Sequence, residues 1–599
     1  MSEVELTSSL WLYSIHGKNP EMIHFLEENK IIPEDKSYAT CLIEAIKCHH
    51  NDIATYIQTN LLSLQDKNRD FNYLFYCRKY HNYYFFPEEL KIDTDIFYDF
   101  CEFDYITLVD LSLQSQGINF SSFKNRIAKI FHINKMTEEE TPIQIAAKKG
   151  NIEIVELLLN IKEIDINGRS TEKVGSTAYN RTPLTTAVQN GDIEMVKLLL
   201  THPKIDVNKK SIRTFLAEGY HEYQESMSVL HLAIVNDDLQ MVDFLLTKKS
   251  IDVNEKTIVI FAHRSDQVIT AKTPLFLAVE LNRFDIVKIL ISKSENIDVN
   301  LTSLDKHHSP KEYSDSLLEA NALHEAVLTG NYEIVQLLLS SRNDININSC
   351  FKFKKRDDDV LNEKSCLFAA CEMKMKEIVS ILLSRENINI NCVNIFKFKN
   401  NEGYCEETPL YIAVEKEDVD IVRLLLDRND IDVNYKSKYS SSQQSMSWSE
   451  YKEMTPLHLA VEKENAEIVQ LLITIQKLNI NDVFLLTRKI YIGAMRQIER
   501  TALLLAIEKN LPDIVSILLT RKDVNVNVLF HSFKKRFGFF TSEEIMKTAL
   551  HMAVEENSID IIRLLLAYNG IDISIKNQSG KTPIDIATND EIIKLLKKE

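Results

Sequence analysis

From residue 141 to the carboxyl end, apolar and polar positions follow one pattern that recurs about every 45 residues. Each copy opens on a hydroxyl or amide residue, runs through a short apolar stretch, and turns. A second stretch follows, with apolar residues at helical spacing, as in Ile193, Val196 and Leu199–Leu200. Openings fall at Thr141, Thr182, Ser228, Thr273, Asn321, Ser365, Thr408, Thr455, Thr501 and Thr548, with a truncated copy at Thr582. The pattern predicts pairs of short helices. Between copies it changes period: Phe351-Lys352-Phe353-Lys354 and Phe396-Lys397-Phe398-Lys399 alternate every second residue, which is strand patterning.

Local chemistry agrees with helix pairs. Thr141, Thr182, Thr273, Thr408 and Thr455 are N-cap residues whose hydroxyl can accept an orphan amide hydrogen. Pro183, Pro274, Pro409 and Pro456 follow them, in the first turn where a missing N–H costs nothing. His231, His324, His458 and His551 recur three residues after the opening, which predicts a hydrogen-bonding role in the tight turn. The turn between helices holds Gly150, Gly191, Asp237, Asn282, Gly330, Lys374, Glu417, Glu464, Asn510 and Asn557. Seven of these tolerate positive φ; Lys374, Glu417 and Glu464 predict slight strain or a different turn.

The best copy, Thr455-Pro456-Leu457-His458-Leu459-Ala460, resembles the ankyrin repeat. The Ile-Asp-Val-Asn ending, as at Ile205–Asn208, and the long connections are similar to the ankyrin arrays of trichomonad protists. The resemblance implies an all-α, ankyrin-repeat α-solenoid with extended β-hairpin fingers. Spacing departs from the family: openings are 41 to 48 residues apart, except for 34 at the end, against about 33 for the standard unit. The excess lies before the openings. Nineteen residues separate Asn208 from Ser228, against seven between Ser574 and Thr582. Long hairpin arms, side by side along one edge, are therefore expected.

Residues 1–140 carry only worn copies, at Leu10–Leu26 and at Thr40–Ala45, then an aromatic cluster from Phe71 to Phe86. They predict a divergent helical leader or cap, and 141–599 the array of about ten full repeats. Large aromatics at helical spacing read as packing before they read as a ligand pocket.

Composition narrows the function. The net charge of −17 disfavours nucleic acid as a partner. Nine cysteines without a Cys-x-x-Cys point to reduced thiols and a cytoplasmic or nuclear setting, with no metal site. No apolar run is long enough to span a membrane. Gly580-Lys581-Thr582 lacks the earlier glycine of a phosphate loop, and His221-Glu222 lacks the second histidine of a zincin. No catalytic set can be assembled and no cofactor is expected.

Two features are candidate partner-binding sites. Glu280, Glu372, Glu415, Glu462, Glu508 and Glu555 each stand seven residues after an opening, forming a stripe that attracts basic segments or a merely solvated face. Phe351, Phe353, Phe396, Phe398, Phe533 and Phe537 sit among basic residues on the arms, as contact points or as glue between neighbouring arms. The expected function is a non-catalytic scaffold that binds partner proteins through the concave helical face and the arms, as a monomer. The alternatives are a self-associating structural element, or an adaptor delivering a partner to an enzyme.

Overall fold

A computed structural model describes residues 10–33, 38–62, 76–77, 79–80, 101, 109, 141–161, 164–217, 221–263, 266–305, 317–354, 361–398, 403–443, 448–490, 494–535 and 542–597. The chain divides into two compact units, Met1–Met241 and Val242–Glu599.

The first unit opens with two pairs of short helices, Leu10–His16 with Pro20–Glu28 and Ala39–Lys47 with Asn51–Tyr56. Lys18 and His49, in the turns within these pairs, have φ of 49° and 57°, the left-handed turn of the later repeats. Trp11, Ile15, Leu26, Leu42, Ile46 and Ile57 form their core. The Trp11 indole donates to the Ile31 carbonyl at 2.7 Å, which satisfies its only polar atom. Most of the Phe71–Phe86 cluster lies outside the described residues. Helix pairs resume at Pro142–Lys149 with Ile152–Leu159 and Pro183–Gln189 with Ile193–Leu199. Two antiparallel hairpins, Ser170–Val174 with Thr177–Arg181 and Ser211–Ala217 with His221–Met227, pair in sequence order.

The second unit repeats the same device. Its first helices include Pro274–Glu280, Ala322–Leu328, Cys366–Glu372, Pro409–Glu415, Pro456–Glu462, Ala502–Glu508 and Ala549–Glu555. Each is followed by a second helix whose buried positions recur at three- and four-residue steps, such as Ile468, Val469, Leu472 and Ile473. A buried leucine contributes roughly 1.5–3 kcal/mol. One helix pair has too few such residues to stand alone, so each stacks on the next.

Caps begin the first helices. Thr455 Oγ1 accepts from the His458 amide, and Thr141, Thr182, Thr273, Thr408, Thr501 and Thr548 cap in the same way. Ser228 is the exception. It makes no such bond, and its hydroxyl meets His231 Nδ1 at 2.7 Å instead. His231, His324, His458 and His551 are buried. His324 Nε2 reaches the Ser349 carbonyl at 3.0 Å and His551 Nε2 the Lys581 carbonyl at 3.0 Å. His324 and His551 thus tie a helix start to the loop of the following repeat. Lys374, Glu417 and Glu464 take φ of 58°, 56° and 61°, so the turn is the same left-handed one found elsewhere, adopted against its intrinsic cost.

The all-α expectation needs correction: the described residues contain eighteen strands. Long connections supply enough residues to pair, and neighbouring fingers saturate each other's edges. One sheet of the second unit orders Ser303–Asp305, Leu317–Ala320, Cys350–Lys354 and Leu361–Ser365. A larger, eight-stranded sheet runs in sequence order from Asn394–Lys397 to Ser542–Lys547, every pairing antiparallel. Between the two sheets the ladder stops. Asn362 Oδ1 accepts the Lys397 amide at 2.8 Å where a backbone carbonyl would otherwise serve.

The Ile-Asp-Val-Asn endings form a second continuous tie. Asn391 Nδ2 donates to the Asp430 carbonyl, and its Oδ1 accepts from the Asp432 amide, both at 2.7 Å. Asn254, Asn300, Asn348, Asn434, Asn481 and Asn527 make the same two bonds onto the following repeat. No described helix is long and apolar enough to cross a membrane.

Candidate protein-binding site

The glutamate stripe is not uniform. A cation eight residues earlier, on the second strand of the finger or just past its end, reaches to the carboxylate at the end of the first helix. Lys272 meets Glu280 at 2.6 Å, Lys364 meets Glu372 at 2.5 Å, Arg500 meets Glu508 at 2.7 Å, and Lys547 pairs with Glu555. The spacing works because the connection runs straight into a helix of seven residues, about two turns, short enough for a long side chain at its start to meet the carboxylate at its end. Helix C-termini disfavour a carboxylate, and the paired cation offsets that. Four of the six glutamates are therefore committed within their own repeat.

Two repeats break the rule. Eight residues before Glu415 stands Glu407, and eight before Glu462 stands the buried Met454. Among the described residues the Glu462 carboxylate pairs only with Lys452, at 3.9 Å. Neither Glu407 nor Glu415 has a cation at ion-pair distance among the described residues. These positions line a cavity of about 700 Å³, walled by Glu407, Tyr411, Glu415, Tyr439, Leu459 and Glu462. Lys438, Lys452, Lys463 and Lys509 line it as well, with Glu406 and Glu450. Two of them pair with carboxylates of the same lining, Lys438 with Glu406 at 3.0 Å and Lys452 with Glu450 and Glu462 at 3.9 Å, and Lys509 pairs with Glu464 at 2.8 Å.

Electrostatics follow from that geometry. Burial, then the charges of Glu415 and Glu372, push the Glu407 carboxyl up to about 7, with Lys364 offsetting only part. Burial and the carboxylates of Glu407, Glu415 and Glu462 raise the Tyr411 phenol, keeping it a neutral donor. Cys405 is pushed up to about 12, by burial first and then by Glu407 and Glu415, so its thiol is not an activated nucleophile. The arrangement can accept a cation and hydrogen-bond donors.

The arm phenylalanines divide by depth. Phe351 and Phe353 are 1% and 3% exposed, and Phe351 packs 5.7 Å from the His324 ring. Phe396 is half-buried against Phe368 at 5.5 Å, with the Lys364 ammonium 5.3 Å from its centroid. Phe398, also half-buried, lies 5.8 Å from Tyr439 beside the cavity. Phe533 is half-buried on its strand, and Phe537 lies outside the described residues. Sequence reasoning singled out Glu415 and Glu462 but not Glu407 or Tyr411. The signal was present in the residue eight places before each stripe glutamate, a cation in four repeats and not in these two.

A family model described as ankyrin repeats (3 copies) matches residues 111–211, 211–303, 263–349, 323–437, 438–529 and 534–599. No curated protein matches the chain. Among solved structures, the human ASB11 ankyrin repeat domain is similar at 20% identity, over 46% of this chain and 96% of that one, with a TM-score of 0.27. EF0377, an ankyrin repeat protein, is similar at 25% identity over 39% of this chain and 94% of its own, with a TM-score of 0.26. With its repeats matched across most of its length, the chain belongs to the ankyrin-repeat family.

Proposed function

We propose that this chain is a non-catalytic scaffold that captures a basic segment of a partner protein at the cavity formed by Glu407, Glu415 and Tyr411. Ankyrin repeats generally mediate protein–protein interaction. The observation that carries the reading is the missing cation: where four repeats supply a lysine or arginine of their own, this one presents a second carboxylate. An incoming lysine or arginine takes the vacant role, and the half-buried setting strengthens the attraction relative to an exposed pair. Phe396, Phe398 and Tyr439 supply apolar surface beside it. The leader at 1–140 caps the array, and the Ile-Asp-Val-Asn endings with long fingers support kinship with the trichomonad arrays.

Immobilised peptides matched in length and apolar content, but basic, neutral or acidic, test the site. Retention of basic peptides is expected, weakened at least about tenfold, or 1.4 kcal/mol, by Glu407→Gln with Glu415→Gln. Retention that ignores peptide charge, or that survives the double substitution, removes the cavity from the binding surface.

A further inference from the structure

A second cluster lies at the other end of the chain, among the amino-terminal helix pairs. His16 is the last residue of the helix Leu10–His16, Glu44 stands in the last turn of Ala39–Lys47, and Cys48 caps that helix. His16 Nδ1 is 3.0 Å from Glu44 Oε1 and 3.5 Å from Cys48 Sγ, and Cys48 Sγ is 3.6 Å from Glu44 Oε1. We propose that His16, Glu44 and Cys48 form a tetrahedral zinc site with three protein ligands and a fourth position open to solvent.

The triangle itself is the argument. A tetrahedral zinc with bonds of about 2.0 Å to nitrogen and oxygen and about 2.3 Å to sulfur has edges of about 3.3 Å for N···O and about 3.5 Å for N···S and O···S. The three observed separations match those edges within a few tenths of an ångström, and all three donor atoms lie within 4.8 Å of one another. One thiolate, one imidazole and one carboxylate suit zinc better than the hard, all-oxygen cations.

Placement adds to it. The two helices end at the cluster, and helix C-termini carry partial negative charge that favours a cation. Glu44 Oε2 meets Lys47 Nζ at 3.4 Å, which leaves Oε1 as the metal-facing oxygen. That lysine works against the site, and at an exposed position its ammonium can turn to solvent. His16 is exposed while Glu44 and Cys48 are half-buried, so a metal ion has an open path. On binding, the Cys48 thiol releases its proton to solvent and coordinates as thiolate.

Two other readings bear on the same three atoms. A catalytic relay needs the thiol on one imidazole nitrogen and the carboxylate on the other; here both face Nδ1. A plain hydrogen-bonded trio puts the Nδ1–H of His16 and the Cys48 thiol on the same oxygen, Glu44 Oε1, and predicts no metal uptake.

The test uses the full-length protein, stripped with a chelator and titrated with zinc against a chromophoric indicator, then with cobalt. One equivalent is expected, and bound cobalt should show tetrahedral d–d bands with a thiolate-to-metal charge-transfer band. Cys48→Ser should abolish that band. His16→Ala should weaken zinc binding at least about 100-fold, beyond the 10–100-fold typical of outer-shell partners. Lys47→Gln, a positioning residue, should keep the band. Failure to retain zinc, or a cobalt spectrum undiminished by either ligand substitution, overturns the site and leaves a surface hydrogen-bond cluster. That result has no bearing on the Glu407 cavity, which lies in the other unit.

Discussion

Glu407 carries the clearest consequence of one residue choice. Its folded-state pKa of about 7 lies above the ordinary 4.5, so the folded protein holds this proton more tightly than the unfolded chain. The sign follows: the stabilisation is full below pH 4.5 and is lost as pH rises through about 7. Above that, the buried charge costs the fold on the order of 1–3 kcal/mol, after discounting for partial exposure. Glu407→Gln should therefore melt higher than the parent at pH 8, with the difference closing as the pH approaches 4.5. A gap that does not vary with pH refutes the assignment. On the proposed function, stability and binding are opposed at this position, a common trade where a site holds an unpaired charge. Backbone strain gives a second residue-scale expectation. Glu417 sits at φ 56° without a glycine's freedom, so Glu417→Gly should stabilise by about 0.5–1 kcal/mol in urea unfolding. A loss would mean that its side chain does unseen work.

At the scale of the element, the helix pair and its loop are joined to the next repeat by asparagine. Asn391 satisfies one carbonyl and one amide of the following loop, groups that no helix or strand can serve. Removing both bonds in Asn391→Ala should cost about 1–3 kcal/mol, at 0.5–1.5 for each bond. Asn391→Asp keeps the acceptor and loses the donor, so an intermediate cost is expected. Equal stability of all three proteins would show that water replaces the ladder at no cost. Arginines brace the same loops: Arg428 grips Asp430 through two nitrogens and reaches the Leu383 carbonyl of the preceding repeat at 2.8 Å. Its pull holds the Asp430 carboxyl below the usual range.

For the whole molecule, the governing fact is that each repeat meets chiefly its neighbours, so stability is a sum of local terms and need not collapse at once. The chain has two tryptophans, Trp11 in the first unit and Trp448 in the second. Single-tryptophan variants, Trp448→Phe and Trp11→Phe, make each unit its own reporter. Urea midpoints read by Trp11 and by Trp448 should differ. Coincident transitions, matching in both midpoint and slope, would instead show one cooperative block.

Much of the fold was legible in the sequence because its determinants are local. The threonine caps, the proline in the first turn, the leucine spacing and the excess length before each opening act over a few residues, and each names its element without a partner. Strand content was underestimated at the level of class, because a finger becomes a sheet only when the next finger closes its edge. The sites were less legible for the same reason. Glu372 and Glu415 look alike in the repeat phrase, yet Lys364 neutralises one and Glu407 faces the other, a difference set by which strand residue folds over the helix end. Phe351 and Phe396 share one alternating motif, and burial separates them. His16 is 28 residues from Glu44, and no spacing rule links them; only the stacking of two helix pairs brings imidazole, carboxylate and thiol within bonding distance of one ion. Local rules chose the elements of this protein, and the meeting of elements remote in the chain chose which side chains remain available for chemistry.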